Sequence, residues 1–298
     1  MKLSKKQQYH LEPPQGLMND PNGLVWFQGR YYVFFQWNRF RKDHSYKEWG
    51  LFTSRDLVRW EFRGGAIRPG STWDQSGVHS GSALVIDGQL CAFYTGSDKS
   101  GGKRRSSQCL AVSRDGRTFA KQGVFLHTPE GFTEHFRDPK AFPAPEGGYD
   151  LVLGGQRTSG KGAVVLCRSR DGFRWHYSHI LAFADDHEMV ECPDLFRLDG
   201  QDLLLYCPQR RDSESDQVIS SQAVYKPVDF DPHTGVLGDQ DLETGFSLLD
   251  QGFDFYAPQT FLAPDGRRIL TAWMSRMEDE QERIFGEEEP RIHCLTLP

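Results

Sequence analysis

Three acidic residues in this chain stand beside prolines in similar settings: Asn19-Asp20-Pro21-Asn22-Gly23, Arg137-Asp138-Pro139-Lys140 and Glu191-Cys192-Pro193-Asp194. Proline fixes its own φ and biases the residue before it toward extended backbone, which is one way to aim a carboxylate from a rigid strand edge. Each motif also has an ordinary reading: Asp-Pro-Asn-Gly is a turn sequence, Arg137-Asp138 is a local ion pair, and Glu191 is an exposed acid at a strand end. Taken together they match what cleavage of a glycosidic bond requires. One carboxylate attacks the anomeric carbon, a second acid protonates the leaving oxygen, and a third holds sugar hydroxyls more tightly as positive charge develops on the ring. The chain has no H-E-x-x-H, no glycine-rich phosphate loop and no dinucleotide fingerprint, so no metal and no cofactor is expected.

Acids this far apart in sequence meet only if a repeated element brings them to one place. The apolar segments are short, alternate with polar residues, and are separated by Gly, Asp and Pro turn signals, which predicts an all-β chain. Five units follow one another, pairing 23–36 with 49–60, 82–96 with 108–119, 140–155 with 163–175, 194–209 with 220–230, and 259–274 with 291–298. Several contain a strand ending in Ser-Arg-Asp, at Ser54-Arg55-Asp56, Ser113-Arg114-Asp115 and Ser169-Arg170-Asp171, with Trp60, Phe119 or Trp175 soon after. Recurrence at roughly fifty to sixty residues suits the four-stranded blades of a propeller, with a β-sandwich as the alternative for regularly spaced strands. The expectation is therefore one five-bladed β-propeller over 1–298, its blades beginning near 20, 80, 138, 191 and 256. The innermost strands of a propeller surround one axis, so acids at the blade entrances converge.

The net charge of −6 in 298 residues offers no polyanion-binding surface, and nucleic acid is not an expected partner. The compact basic run Lys103-Arg104-Arg105 lies among Ser and Gly and reads as a solvated loop. Residues 1–8 are polar with no apolar stretch behind them, so neither a signal peptide nor a membrane association is expected, and the location expected is cytoplasmic. The six cysteines form no C-x-x-C pair and several sit in apolar runs, as buried free thiols do. Nothing in the sequence fixes the oligomeric state.

The boxes Met18-Asn19-Asp20-Pro21-Asn22-Gly23, Ser80-Gly81-Ser82-Ala83, Arg137-Asp138-Pro139 and Glu191-Cys192-Pro193-Asp194 resemble, in this order, those of glycoside hydrolase family 32, the invertase and fructanase group. Gly252-Phe253-Asp254-Phe255-Tyr256-Ala257-Pro258-Gln259 looks like that family's fifth-blade entrance. The resemblance implies a retaining hydrolase acting on the β-D-fructofuranosyl bond of sucrose 6-phosphate, sucrose or a short fructoside, through a fructosyl-enzyme intermediate. Asp20 matches the nucleophile, Glu191 the general acid/base, its pKa expected to be raised, and Asp138 the transition-state stabiliser. Asn19, Gln36, Trp49, Ser82 and Tyr256 match sugar-contacting positions, and Arg137 is placed to offset part of the acidic charge. The segment 43–50 resembles the bacterial members that act on a sugar phosphate, and it makes Arg39, Arg41, Lys42, His44 and Lys47 candidates for a phosphate contact. Two departures stand out: Leu51 follows Trp49-Gly50 where the family usually has His, and His79 precedes Ser80 where an aromatic is common. Members also continue into a C-terminal β-sandwich, which is not expected within these residues, and an acidic stretch over 278–289 occupies part of the last blade. Fructosyl transfer, arabinan or xylan cleavage on the same scaffold, and sugar binding without catalysis are the alternative activities.

Overall fold

The aromatic and β-branched residues that alternate along each segment favour strands, because they fill a pleated surface packed on both faces. The computed structural model describes residues 7, 9–215, 217–277, 290–296 and 298, and among these it contains strands and no helix. The first sheet holds β1 (Gly16–Phe27), β2 (Arg30–Asn38), β3 (Glu48–Ser54) and β4 (Trp60–Ile67) in antiparallel order. The second holds β5 (Gly77–Ile86), β6 (Gln89–Asp98), β7 (Arg105–Ser113) and β8 (Ala120–His127). The third holds β9 (Phe132–Pro143), β10 (Tyr149–Arg157), β11 (Gly162–Ser169) and β12 (His176–Ala184). The fourth is built from β13 (Met189–Leu198), β14 (Gln201–Arg211), β16 (Val224–Val228) and β19 (Ser247–Leu248), with β15 (Val218–Ser221) also on β14 and a separate ribbon of β17 (Phe230–Asp231) and β18 (Val236–Leu237). A last hairpin joins β20 (Tyr256–Leu262) to β21 (Arg268–Trp273).

The arrangement is propeller-like, with four full blades among the described residues rather than the five expected. Among the described residues the fifth position holds the β20–β21 hairpin, and of the 291–298 segment Arg291–Ile292 forms a strand. That strand, β22 (Arg291–Ile292), pairs in parallel with β1 in the first blade. Isolated bridges, Trp273 to Leu295 and Leu295 to Leu11, continue the hairpin sheet as far as the N-terminal segment. The acidic stretch 278–289 lies outside the described residues. The innermost strands β1, β5, β9, β13 and β20 each pack on the next, and β20 packs back on β1, so a ring surrounds the axis.

Hydrophobic clusters fill the spaces between neighbouring sheets. One joins Phe34, Trp49, Val78 and Tyr94 across the first and second, and another joins Phe93, Phe136, Leu151 and Trp175 across the second and third. Such burial contributes about 25 cal/mol per Å² of apolar surface, and it locks each blade to its neighbour. The Ser-Arg-Asp repeat forms the turn from third to fourth strand: Asp56, Asp115 and Asp171 each accept N–H groups two and three residues on, at 2.7–3.0 Å. Trp60 and Trp175 fasten these turns by donating their indole N–H to Leu57 and Gly172 carbonyls. The cysteines are all free thiols, five of them buried.

Every innermost strand is interrupted where its box lies. Register shifts occur at Met18/Pro21, His79/Gly81, opposite Arg137–Lys140 at Val152/Gly154, at Glu191/Asp194 and at Tyr256/Gln259. The residues before three of the prolines are not extended: Asp138 has φ 68°, Cys192 48° and Ala257 49°. Proline's bias on its predecessor is overridden by a bulge, at a strain of about 1–3 kcal/mol per site. The bulge turns side chains that a regular strand would send to alternate faces toward the axis. Gly81 is required for the same reason, since a Cβ there would lie 1.9 Å from the Phe93 carbonyl oxygen.

Candidate active site

Asp20, Asp138 and Glu191, from β1, β9 and β13, meet at the end of the axis where the innermost strands begin, and all three are buried. They act on one another electrostatically: Glu191 raises both Asp20 and Asp138, and Asp20 raises Asp138. Antiparallel pairing brings a second tier to the same end. Gln36, near the end of β2, faces the β1 bulge, and Gln209, near the end of β14, pairs with Met189.

Asp20 is held by short polar side chains. Gln36 Nε2 donates to Oδ2 at 2.7 Å, the Ser80 hydroxyl donates to the same oxygen, and Asn19 Nδ2 donates to Oδ1 at 3.1 Å. Lys47 Nζ, fully enclosed, donates to Asn19 Oδ1 and so fixes which way that amide points. Burial raises the Asp20 carboxyl above its usual range; Ser80, Lys47 and Asn19 work against that rise. Lys47 itself is drawn down to about 7, chiefly because burial disfavours its charge. Among the described residues Gln36 Oε1 is buried with no partner, which leaves an acceptor unused.

Glu191 is held differently. Arg137 Nε and a terminal guanidinium nitrogen both donate to Oε1, at 2.8 and 2.6 Å. Tyr256 OH donates to Oε2 at 2.8 Å, and Gln209 Nε2 donates to the same oxygen and to the Tyr256 hydroxyl. Burial pushes Glu191 up, yet Arg137, the Tyr256 hydroxyl and Arg211 outweigh it and leave the carboxyl below its usual range. The expectation that Glu191 is the raised acid is therefore corrected: the charge-assisted bonds of Arg137 favour its ionised form. Asp138 carries the rise instead, to about 7, from burial and the Glu191 charge, opposed by Arg137. Its Oδ2 accepts the Cys192 N–H at 3.1 Å, and its own N–H donates to Thr95 Oγ1 at 3.0 Å.

Two of the sugar-contacting candidates are occupied elsewhere. Trp49 is fully buried between Phe34 and Tyr94 and donates its indole N–H to the His79 carbonyl at 2.8 Å, a blade-core placement. Ser82 donates to the Pro139 carbonyl at 2.8 Å and accepts the Ala141 N–H at 2.9 Å, which seals β5 to β9. Ser80 is at the pit in its place, because the bulge at Gly81 breaks the alternation that would put both serines on one face. Beneath the acids, Lys140 and Asp194 form an enclosed pair at 3.0 Å, and Asp194 accepts the Thr260 N–H at 2.7 Å, tying β9, β13 and β20.

The basic residues after β2 are partly committed as well. Arg39 pairs with buried Glu48 and lies over Trp37, and Lys47 serves Asn19, whereas Arg41 and His44 are exposed. Ser80, Gln209, His135 and Arg104 are the residues at or near the pit that spacing did not single out. Arg104 departs from its reading as part of a solvated loop: it is half-buried, and Arg137, Asp138, Glu191 and Arg211 all act on its charge.

Residues 10–298 match the model of the glycosyl hydrolases family 32 N-terminal domain. The chain is 42% identical, over 98% of its length, to a sucrose-6-phosphate hydrolase of Bacillus subtilis (strain 168), of which it covers 62%. It is 39% identical, over 97% of its length, to a raffinose invertase of Escherichia coli, of which it covers 61%. The solved structure of sucrose-6-phosphate hydrolase from Lactobacillus gasseri superposes with a TM-score of 0.86 at 32% identity, over 97% of this chain and 59% of that one. The chain thus spans less than two thirds of the length of these relatives. With the boxes in order, the acids in one pit and the match running from residue 10 to the last, the chain belongs to glycoside hydrolase family 32.

Proposed function

We propose that this chain is the catalytic part of a β-fructofuranosidase that hydrolyses sucrose 6-phosphate and sucrose with retention, on a five-bladed propeller whose fifth blade is the β20–β21 hairpin continued by the chain termini. The observation that carries the reading is the meeting of Asp20, Asp138 and Glu191 in one buried pit with two different kinds of support. Asp20, held by neutral donors and one Lys-bound amide, attacks the anomeric carbon. Glu191, beside Arg137 and Tyr256, serves the leaving oxygen and then the water. Asp138, ionised when bound, accepts the fructose hydroxyls.

Burial raises Asp138 to about 7 and raises Asp20 as well, which disposes the acids to share a proton near neutral pH. Sugar hydroxyls donating to Asp138 favour its ionised form, and the added negative charge raises Glu191 toward the protonated acid that departure of the leaving group needs. Asn19, Gln36 and Tyr256 line the sugar, whereas Trp49 and Ser82 support it from behind. A cytoplasmic site of action belongs to this reading. The test is chromatographic product analysis with both sugars: release of fructose by the wild-type chain, and its loss in Asp20→Asn and Glu191→Gln, supports it. Accumulation of oligosaccharides as the main product, or undiminished turnover in either variant, refutes it.

A further inference from the structure

The connection between β6 and β7 carries Arg104. Because β6 returns antiparallel to β5, pairing Ser97 with Gly77, this connection sits at the same end of the axis as Ser80 and the acids. Arg104 Nε is enclosed, and among the described residues no hydrogen bond or ion pair engages its guanidinium. An enclosed Nε–H without an acceptor is costly, and Arg keeps its charge at neutral pH. The neighbouring charges are of both signs. Arg137 and Arg211 oppose the Arg104 charge and Glu191 and Asp138 favour it, but Glu191 already accepts from Arg137, Tyr256 and Gln209 and none of these acids is bonded to Arg104. His79, also within reach of Arg104, is held well below its usual range by burial, then by Arg104 and Lys47, so it stays neutral.

Arg104 also borders an open cavity of about 800 Å³ between the second and third blades, walled by Trp73, Phe132 and Thr133, with Asp98, which pairs with Arg105, and Glu130 and Glu134 also on its lining. The same residue thus lies within electrostatic reach of Glu191, the proposed acid, and lines a space large enough for a hexose. Arg105 lines this cavity too, but its guanidinium is paired with Asp98.

We propose that Arg104 binds the phosphate monoester of the leaving sugar, which occupies the cavity between the second and third blades. The inference rests on the hydrolase reading above and assigns the anion contact to Arg104 rather than to the basic residues after β2. A guanidinium meets a phosphate with two parallel N–H donors, which a lysine does not reproduce.

The experiment compares kcat and KM for sucrose 6-phosphate and for sucrose in wild type, Arg104→Gln, Arg104→Lys and Arg105→Gln, with inhibition by glucose 6-phosphate and by glucose as a binding readout. Arg104→Gln should raise KM for the phosphorylated sugar and Ki for glucose 6-phosphate by roughly 10- to 100-fold. The loss for sucrose and glucose should be several-fold smaller than for the phosphorylated sugars, and Arg104→Lys should recover part of the loss on the latter. Arg105→Gln should keep the wild-type preference. Equal losses on both sugars, or an unchanged preference in Arg104→Gln, overturn the phosphate site while leaving the hydrolase reading intact. A wild-type chain that turns over neither sugar refutes both.

Discussion

Replacing Asp138 with asparagine should stabilise the protein above neutral pH while removing its turnover. The Asp138 carboxyl is held up to about 7, by burial first and the Glu191 charge second, against about 3.9 for a free aspartate. Between those values the native state keeps a proton that the unfolded chain has released. Stability therefore falls as pH rises from about 4 to about 7 and stays low above that. The roughly three-unit rise corresponds to a limit of about 4 kcal/mol. Part of this repulsion is shared with Asp20 and Glu191, and Arg137 loses one neighbour when the charge goes, so the substitution should recover about 1–3 kcal/mol at pH 8. Asparagine keeps the shape, and its carbonyl oxygen still accepts the Cys192 N–H. For a chain of this size the gain is about 2–10 °C in Tm at pH 8 and near zero at pH 4–5, where wild-type Asp138 is protonated. Thermal unfolding of both proteins at the two pH values reads the difference. A variant less stable than wild type at pH 8, or a Tm difference that does not change with pH, would refute the electrostatic account of the pit.

Ser80→Ala removes the largest hydrogen-bond opposition to the rise of Asp20, so the acid limb of the kcat/KM profile should move to higher pH; an unmoved limb contradicts the assignment. Arg137→Gln frees Glu191 from the group that most lowers it, and its titration, followed by carboxyl NMR, should shift upward while turnover falls by roughly 100-fold or more. Lys47, drawn down to about 7, destabilises the fold while protonated, because the unfolded chain holds that proton up to about 10. Stability from this residue should rise with pH between about 7 and 10, and Lys47→Met should abolish that rise in urea titrations.

The parts legible in the sequence are those fixed by local chemistry. Alternating aromatic runs and Ser-Arg-Asp turns marked the strands of the first three blades closely, because the Asp side chains cap their own turns. The proline boxes marked the pit because each innermost strand is broken there. What spacing could not convey arises from bulges and from contacts distant in sequence. A single extra residue at Gly81 exchanges Ser80 for Ser82 at the pit. The same type of residue, a tryptophan next to a glycine, reads equally as a sugar platform or a core side chain, and the aromatic neighbours Phe34 and Tyr94 decide for the core. The charge of Glu191 depends on Arg137, 54 residues earlier, and the setting of Arg104 depends on blades three and four, so neither appears in any local pattern. The last unit misled because its return segment pairs partly with β1, a choice set by ring closure rather than by strand propensity.

In the proposed mechanism Asp20 forms a bond to the fructosyl carbon while Glu191 manages the protons. A β-fructofuranosyl fluoride needs no acid to expel its leaving group, so Glu191→Gln should still complete the first step and then stall for want of a base. Mass spectrometry of rapidly quenched Glu191→Gln with that fluoride should find one fructosyl unit on the peptide containing Asp20, absent in the Asp20→Asn double variant. A fructosyl unit on another residue, or fluoride release with inverted product and no adduct, would contradict the account.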